Sequence, residues 1–130
     1  MNELRPLLLA GLGGFVGSAG RYLVGGWVHR LVPASLFPWG TLTVNVLGCL
    51  LIGLLAGLAE LRQLFGADVR TFLLIGLLGG FTTFSSFAWE TLALGRDAGL
   101  ARAFGNIAAQ LVLGLAAAWA GLALARIGSA

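Results

Sequence analysis

Four apolar runs, at about residues 6–28, 39–59, 71–94 and 103–125, take up most of a 130-residue chain. Each has the roughly 20 residues that a helix needs to cross the hydrocarbon core of a bilayer. In lipid every backbone polar group must be satisfied internally, so runs of this length are restricted to helices. A soluble domain carries about 25% charged residues; this chain carries 10%, with 58% apolar residues and a mean hydropathy of +0.95. The expectation is one all-α transmembrane domain over residues 1–130, with the bilayer as its solvent. Pro6 suits a helix start. Pro33 and Pro38 bracket the first connection, because the residue before a proline is biased away from helix. The second connection, 60–70, is the most polar, and the third, 95–102, is short. The first run follows a weakly charged head and leads straight into more membrane sequence, so no cleavable signal peptide is expected.

Charge and reactive residues exclude several function classes. All eight basic residues are arginine, scattered singly, with no cluster to grip phosphates, so no nucleic-acid partner is expected despite a pI near 10.5. Cys49 is the single cysteine, which excludes an internal disulfide and a multi-cysteine metal site. His29 is the lone histidine, beside Arg30 at a membrane edge. No serine–histidine–acid set exists and no carboxylate lies near the centre of a run, so an enzyme is not expected. A proton-coupled cation carrier would want such a central carboxylate.

Four crossings return both termini to one side. Arg5, Arg62, Arg70 and Arg126 would lie on that side, against Arg30, Arg96 and Arg102 on the other, with Arg21 near the second boundary. The positive-inside rule needs an imbalance to set orientation. Two readings stay open: the chain inserts both ways up and pairs as an antiparallel dimer, or one orientation wins by other means. Glycines four apart (Gly13 and Gly17, Gly53 and Gly57, Gly76 and Gly80) allow close helix approach.

The polar residues inside these runs are the functional candidates, because lipid penalises them. They are Ser18 and Arg21; Thr41, Thr43 and Asn45; Thr82, Thr83, Ser85, Ser86 and Glu90; and Asn106 with Gln110, four apart on one helix face. The segment "GGFTTFSSF", 79–87, combines two glycines, four hydroxyls and three phenylalanines. Each feature has a plain structural reading: aromatics three apart pack, hydroxyls bond back to their own helix, and an asparagine can be interhelical glue. Together they make a lining rich in hydrogen donors and phenyl edges, which suits a small anion. A helix interrupted here would free carbonyls, and irregular backbone at that depth is tolerated only where buried in protein or lining a cavity.

"GGFVGSAGRY", "GTLTVNVLGC" and "GLLGGFTTFSSF" resemble, in order and spacing, three signature stretches of the CrcB/Fluc fluoride channels. The resemblance covers nearly the whole chain. It implies a fluoride-selective channel with four transmembrane helices per chain, the third broken near its middle, assembled as an antiparallel dual-topology homodimer in a prokaryotic inner membrane. Two pores, each lined by both subunits, would export cytoplasmic fluoride passively. It further implies pore roles for Asn45, Phe84 and Phe87, with hydroxyls from Thr83 and Ser85. Arg21 and Glu90 would stand at vestibules, and a structural Na+ at the two-fold axis would be held by the Gly79 and Thr82 carbonyls. In the fourth run Asn106 and Gln110 stand where some members carry a tyrosine and serines, so here the polar track would be made of amides. The alternatives are a small dual-topology multidrug or cation transporter and a non-conducting structural membrane subunit.

Overall fold

A computed structural model describes residues 3–127 and shows a helical protein, with no strand among the described residues. Four helical stretches, Leu4–Leu31, Trp39–Leu61, Ala67–Asp97 and Leu100–Arg126, are long and apolar enough to cross a membrane. The first two are α1 and α2. The third crossing is composite. Its first half, α3 (67–81), strings together one turn at Ala67–Arg70, a π-helical stretch at Thr71–Leu78 and a closing turn at Gly79–Phe81. Its second half is α4, Phe84–Asp97. The last crossing, Leu100–Arg126, is α5. Eight consecutive π-helical residues are unusual, since such geometry mostly appears as single-turn bulges; no residue type in Thr71–Leu78 announces it.

The connections are built from local chemistry. In 32–38 the Ser35 hydroxyl accepts from the Phe37 amide at 3.2 Å and from the Trp39 indole at 3.1 Å, fixing the chain as it enters α2. Arg70 donates to the carbonyls of Phe65 at 3.1 Å and Ala59 at 2.6 Å, so a cation satisfies a carbonyl near the C-terminus of α2. Arg5 pairs with Asp68, and Arg62 donates to the Ile127 carbonyl. The third connection is tighter than 95–102. The helix runs on through Asp97, which belongs to α4 and not to a loop, and only Ala98 and Gly99 separate it from α5. Gly99 has φ +98°, a left-handed conformation that a residue without a Cβ adopts freely.

Glycine sets the helix spacing. α1 lies against α3, and a Cβ built on Gly76 would stand 2.8 Å from the Ala10 carbonyl oxygen and 2.9 Å from Gly13 Cα. α2 lies against α5, where a Cβ on Gly57 would stand 2.8 Å from the Ala125 Cβ. Few side chains are buried among the described residues: Leu42, Val44, Ala59, Leu78, Leu94, Ala103 and Ala125 on the apolar side, Thr83 and Asn106 on the polar side. Large apolar side chains instead face outward, among them Phe15, Trp27, Leu115 and Trp119. For this chain the outside is the apolar phase, the inverse of a soluble fold.

Candidate functional site

Helical dihedrals persist through Gly79 and Gly80, whose flexibility would have made them the natural weak point. The extended residues are the two that follow. Thr82 has φ −84° and ψ 160°, and Thr83 has φ −151° and ψ 114°. A continuous helix would send the Thr83 N–H to the Gly79 carbonyl. Here it goes to Asn45 Oδ1 on α2, at 2.8 Å. Asn45 Nδ2 in turn donates to the Thr83 carbonyl at 3.0 Å. One side-chain amide thus serves both polar groups of one residue, which meets the demand that buried backbone be paired. The carbonyl one residue on, Gly80, accepts from the Ser18 hydroxyl of α1 at 3.5 Å.

Thr83 also starts the next helix. Its Oγ1 accepts from the Ser86 amide at 3.1 Å, the usual N-cap arrangement, and lies 3.0 Å from Ser86 Oγ and 3.3 Å from Ser85 Oγ. The Thr82 hydroxyl turns back to the Leu78 carbonyl at 3.0 Å. Phe84 and Phe87 follow on one face of α4. Their rings meet edge to face, with centroids 5.4 Å apart and planes at 62°. Phe84 is 79% exposed, so its ring is held by little else in the single chain.

Asn45, Gly79, Thr82, Thr83, Phe84, Phe87 and Gln110 line one cleft of about 350 Å³. The walls are mostly apolar, and the polar groups are amides, hydroxyls and backbone. Gln110 Oε1 accepts from Asn45 Nδ2 at 3.1 Å, while Gln110 Nε2 is buried with no partner among the described residues. Leaving a buried donor unpaired costs about 1–3 kcal/mol. Thr83 also borders a second cleft, of about 370 Å³, with Ser18, Arg21, Tyr22, Thr41 and Ser86. Arg21 is the cation there. Glu90 lines a third, of about 200 Å³, with His29 and Thr41. The Thr41 hydroxyl donates to Glu90 Oε1 at 2.8 Å, and Oε2 is buried without a partner among the described residues.

Two candidates fall elsewhere. Ser85 is exposed and lines none of these clefts. Asn106 is fully buried and also lines none of them. Its Nδ2 donates to Thr91 Oγ1 at 2.9 Å, and the Thr91 hydroxyl donates to the Phe87 carbonyl at 2.7 Å. Four-residue spacing on α5 therefore puts Gln110 at the cleft and Asn106 against α4. Thr91 itself escaped sequence reasoning: a lone threonine one turn beyond Phe87 carries no signal until α5 is seen to lie against it. Among the described residues no group of three or more His, Cys, Asp or Glu could hold a metal ion. The oxygens left at the cleft are those of amides, hydroxyls and the backbone, among them the Gly79 carbonyl, whose helical partner, the Thr83 N–H, goes to Asn45 instead.

Residues 8–122 match the family model described as "CrcB-like protein, Camphor Resistance (CrcB)". A protein of Agrobacterium fabrum called fluoride-specific ion channel FluC is 48% identical over 92% of this chain and 95% of its own length. Proteins of the same name from Methylobacillus flagellatus and Opitutus terrae are 44% and 50% identical. Their alignments cover 93% and 88% of this chain, and 94% and 87% of their own lengths. With the match running through all four apolar helices and the whole Thr82–Phe87 segment, the chain belongs to the CrcB family.

Proposed function

We propose that this protein is a fluoride-selective ion channel that lets cytoplasmic fluoride leave the cell passively. The observation that carries the reading is the near full-length identity to proteins named fluoride-specific ion channels. It is supported by a cleft that combines amides, hydroxyls and two edge-to-face phenyl rings. Fluoride is small and strongly hydrated. A pathway must replace its water with donors yet bind it weakly enough to release it. Phenyl edges carry the positive end of the ring quadrupole and offer such weak contacts. The Arg21 cleft would draw anions toward the membrane interior by its charge.

The working unit of the proposal is an antiparallel, dual-topology homodimer in a prokaryotic inner membrane. The third crossing is broken in mid-membrane at Thr82 and Thr83, and two pores run between the subunits. Phe84, nearly naked in one chain, would then be covered by the second copy. A structural Na+ on the two-fold axis fits the oxygen atoms near the interruption: the Gly79 carbonyl loses its helical partner, and Gly79 and Thr82 border the same cleft. Its chemistry would be to neutralise converging carbonyl dipoles; the proposed ligands are the Gly79 and Thr82 carbonyls.

The test is fluoride release from liposomes loaded with fluoride and reconstituted with purified protein, read by a fluoride electrode, with chloride-loaded liposomes as control. Fluoride release with little chloride release is the expected result. Release of neither ion would support a structural subunit. Proton-driven uptake of a quaternary ammonium without fluoride release would support a multidrug carrier.

A further inference from the structure

The clefts follow one another, each sharing lining residues with the next. The Phe84 cleft and the Arg21 cleft share Thr83. The Arg21 cleft and the Glu90 cleft share Gly25, Gly40 and Thr41. The Glu90 cleft shares His29, Phe37, Pro38 and Glu90 with an outer space of about 240 Å³, which Ser35 and Asp97 also border. Only His29 and Glu90, of the residues with an acidic or imidazole side chain, line both outer spaces.

The charges at this end are of mixed sign. Glu90 has one carboxylate oxygen bonded by Thr41 and one buried without a partner among the described residues, which is a poor reception for an anion. Asp97 lies 3.0 Å from Arg96, so its charge is answered within its own helix. On α1, Arg30 follows His29 in the last turn but lines neither outer space, and Arg21 stands farther back in the inner cleft. The segment 32–38 and α2 contribute Ser35, Phe37, Trp39 and Thr41, none of which changes charge near neutral pH, and α5 lines neither space. Histidine is the side chain that ordinarily changes charge between pH 5 and 8, and His29 is exposed to bulk protons.

We infer that His29 makes this protein respond to pH: protonated, it sets a cation beside Glu90 at the outer end of the anion route and speeds fluoride passage; neutral, it leaves the carboxylate unanswered and slows it. The inference rests on the fluoride reading and adds regulation to it. The imidazolium need not touch Glu90 or the ion, since exposed charges act over about 10 Å at 0.1 M ionic strength, and a local cation raises the concentration of anions at a mouth. The response also has a chemical sense. Fluoride is the base of a weak acid, so acid surroundings load a cell through the neutral molecule, and passage that quickens in acid answers the load.

The test uses liposomes carrying purified protein, with equal pH on both sides, at pH 6, 7 and 8. Protein-free liposomes give the leak of the neutral acid to be subtracted at each pH. The native protein is expected to release fluoride at least threefold faster at pH 6 than at pH 8. His29→Gln fixes the position neutral, and efflux should become flat with pH at the slower rate. His29→Arg fixes it cationic, and efflux should become flat at the faster rate. A native ratio within 1.5-fold of one overturns the pH response. A threefold ratio that survives in His29→Gln places the titration on another group and overturns the assignment to His29. Absence of fluoride release from the native protein at every pH overturns the channel reading instead.

Discussion

Phe84 shows how far a single side chain can be separated from the stability of the chain that carries it. At 79% exposed, with Phe87 as its aromatic neighbour, it contributes little to the packing of one subunit. Phe84→Ile is therefore expected to leave the helical fold of the subunit unchanged, read by circular dichroism, while cutting fluoride efflux at least tenfold; efflux within twofold of native would remove the ring edges from the pathway. Thr83 is the opposite case, buried and with its hydroxyl capping α4. Loss of an N-cap typically costs ~1 kcal/mol, so Thr83→Ala should lower the thermal midpoint and Thr83→Ser should restore it. At this scale the sequence was informative about residue type and less so about partner. That Phe84 and Phe87 share a face follows from their spacing. That Asn106 would be fully buried against Thr91, while Gln110 four residues later reaches the cleft, does not. A helix's own period fixes which residues stand together on it, and says nothing of what the neighbouring helix offers opposite each one.

Among the elements, α1 and α3 are held at a distance that only glycine permits. A Cβ at Gly76 would collide with the Ala10 carbonyl and with Gly13 Cα, both of them backbone and unable to swing away. Without a hydrophobic drive between helices in lipid, such close packing is the main source of their association. Gly76→Val should therefore prevent recovery of folded, dimer-sized protein. Gly11→Ala, where a Cβ meets nothing within 4 Å, should behave as native in the same size-exclusion assay. The glycine spacing was readable in advance, and so were the four helices. The internal form of α3 was not. Gly79 and Gly80, the residues freest to leave the helix, stay in it, while Thr82 and Thr83 adopt extended backbone. Asn45, reaching from α2, offers an alternative partner at Thr83 and nowhere earlier. A contact 38 residues distant in the chain thus decides a local backbone conformation.

For the molecule as a whole, the outward face is a problem that one chain leaves unsolved. Lipid can cover Trp27 or Leu115, but the amides and hydroxyls of a cleft bordered by an exposed phenylalanine need a better cover than acyl chains. A second copy in the opposite orientation is the proposed one, and the arginine distribution permits it, four on the terminal side against three opposite with Arg21 near the boundary. The arginine imbalance available to set orientation is small. Reporter fusions at the C-terminus, one active only in the cytoplasm and one only outside it, should both be active in cells carrying the native chain. Two further arginines placed in 62–66 should silence one reporter and strengthen the other, and fluoride efflux should fall with the loss of the minor orientation. Activity from one reporter alone in the native chain would exclude dual insertion.

Four long apolar stretches, almost bare of charge, allow no other solution than membrane helices, because lipid leaves the backbone no partner but itself. Hence the class of the molecule and the number of its crossings followed from composition and length, and its family was legible in three short stretches of residues. Which polar side chain meets which was decided only when the helices packed. Asn45, Asn106 and Gln110 are chemically alike, yet one holds a peptide, one is shut away against Thr91, and one keeps its hydrogens to itself. A hydrogen bond is short and directional. Its partner is therefore set by where helices distant in the chain come to lie, and no local pattern of residues contains that information.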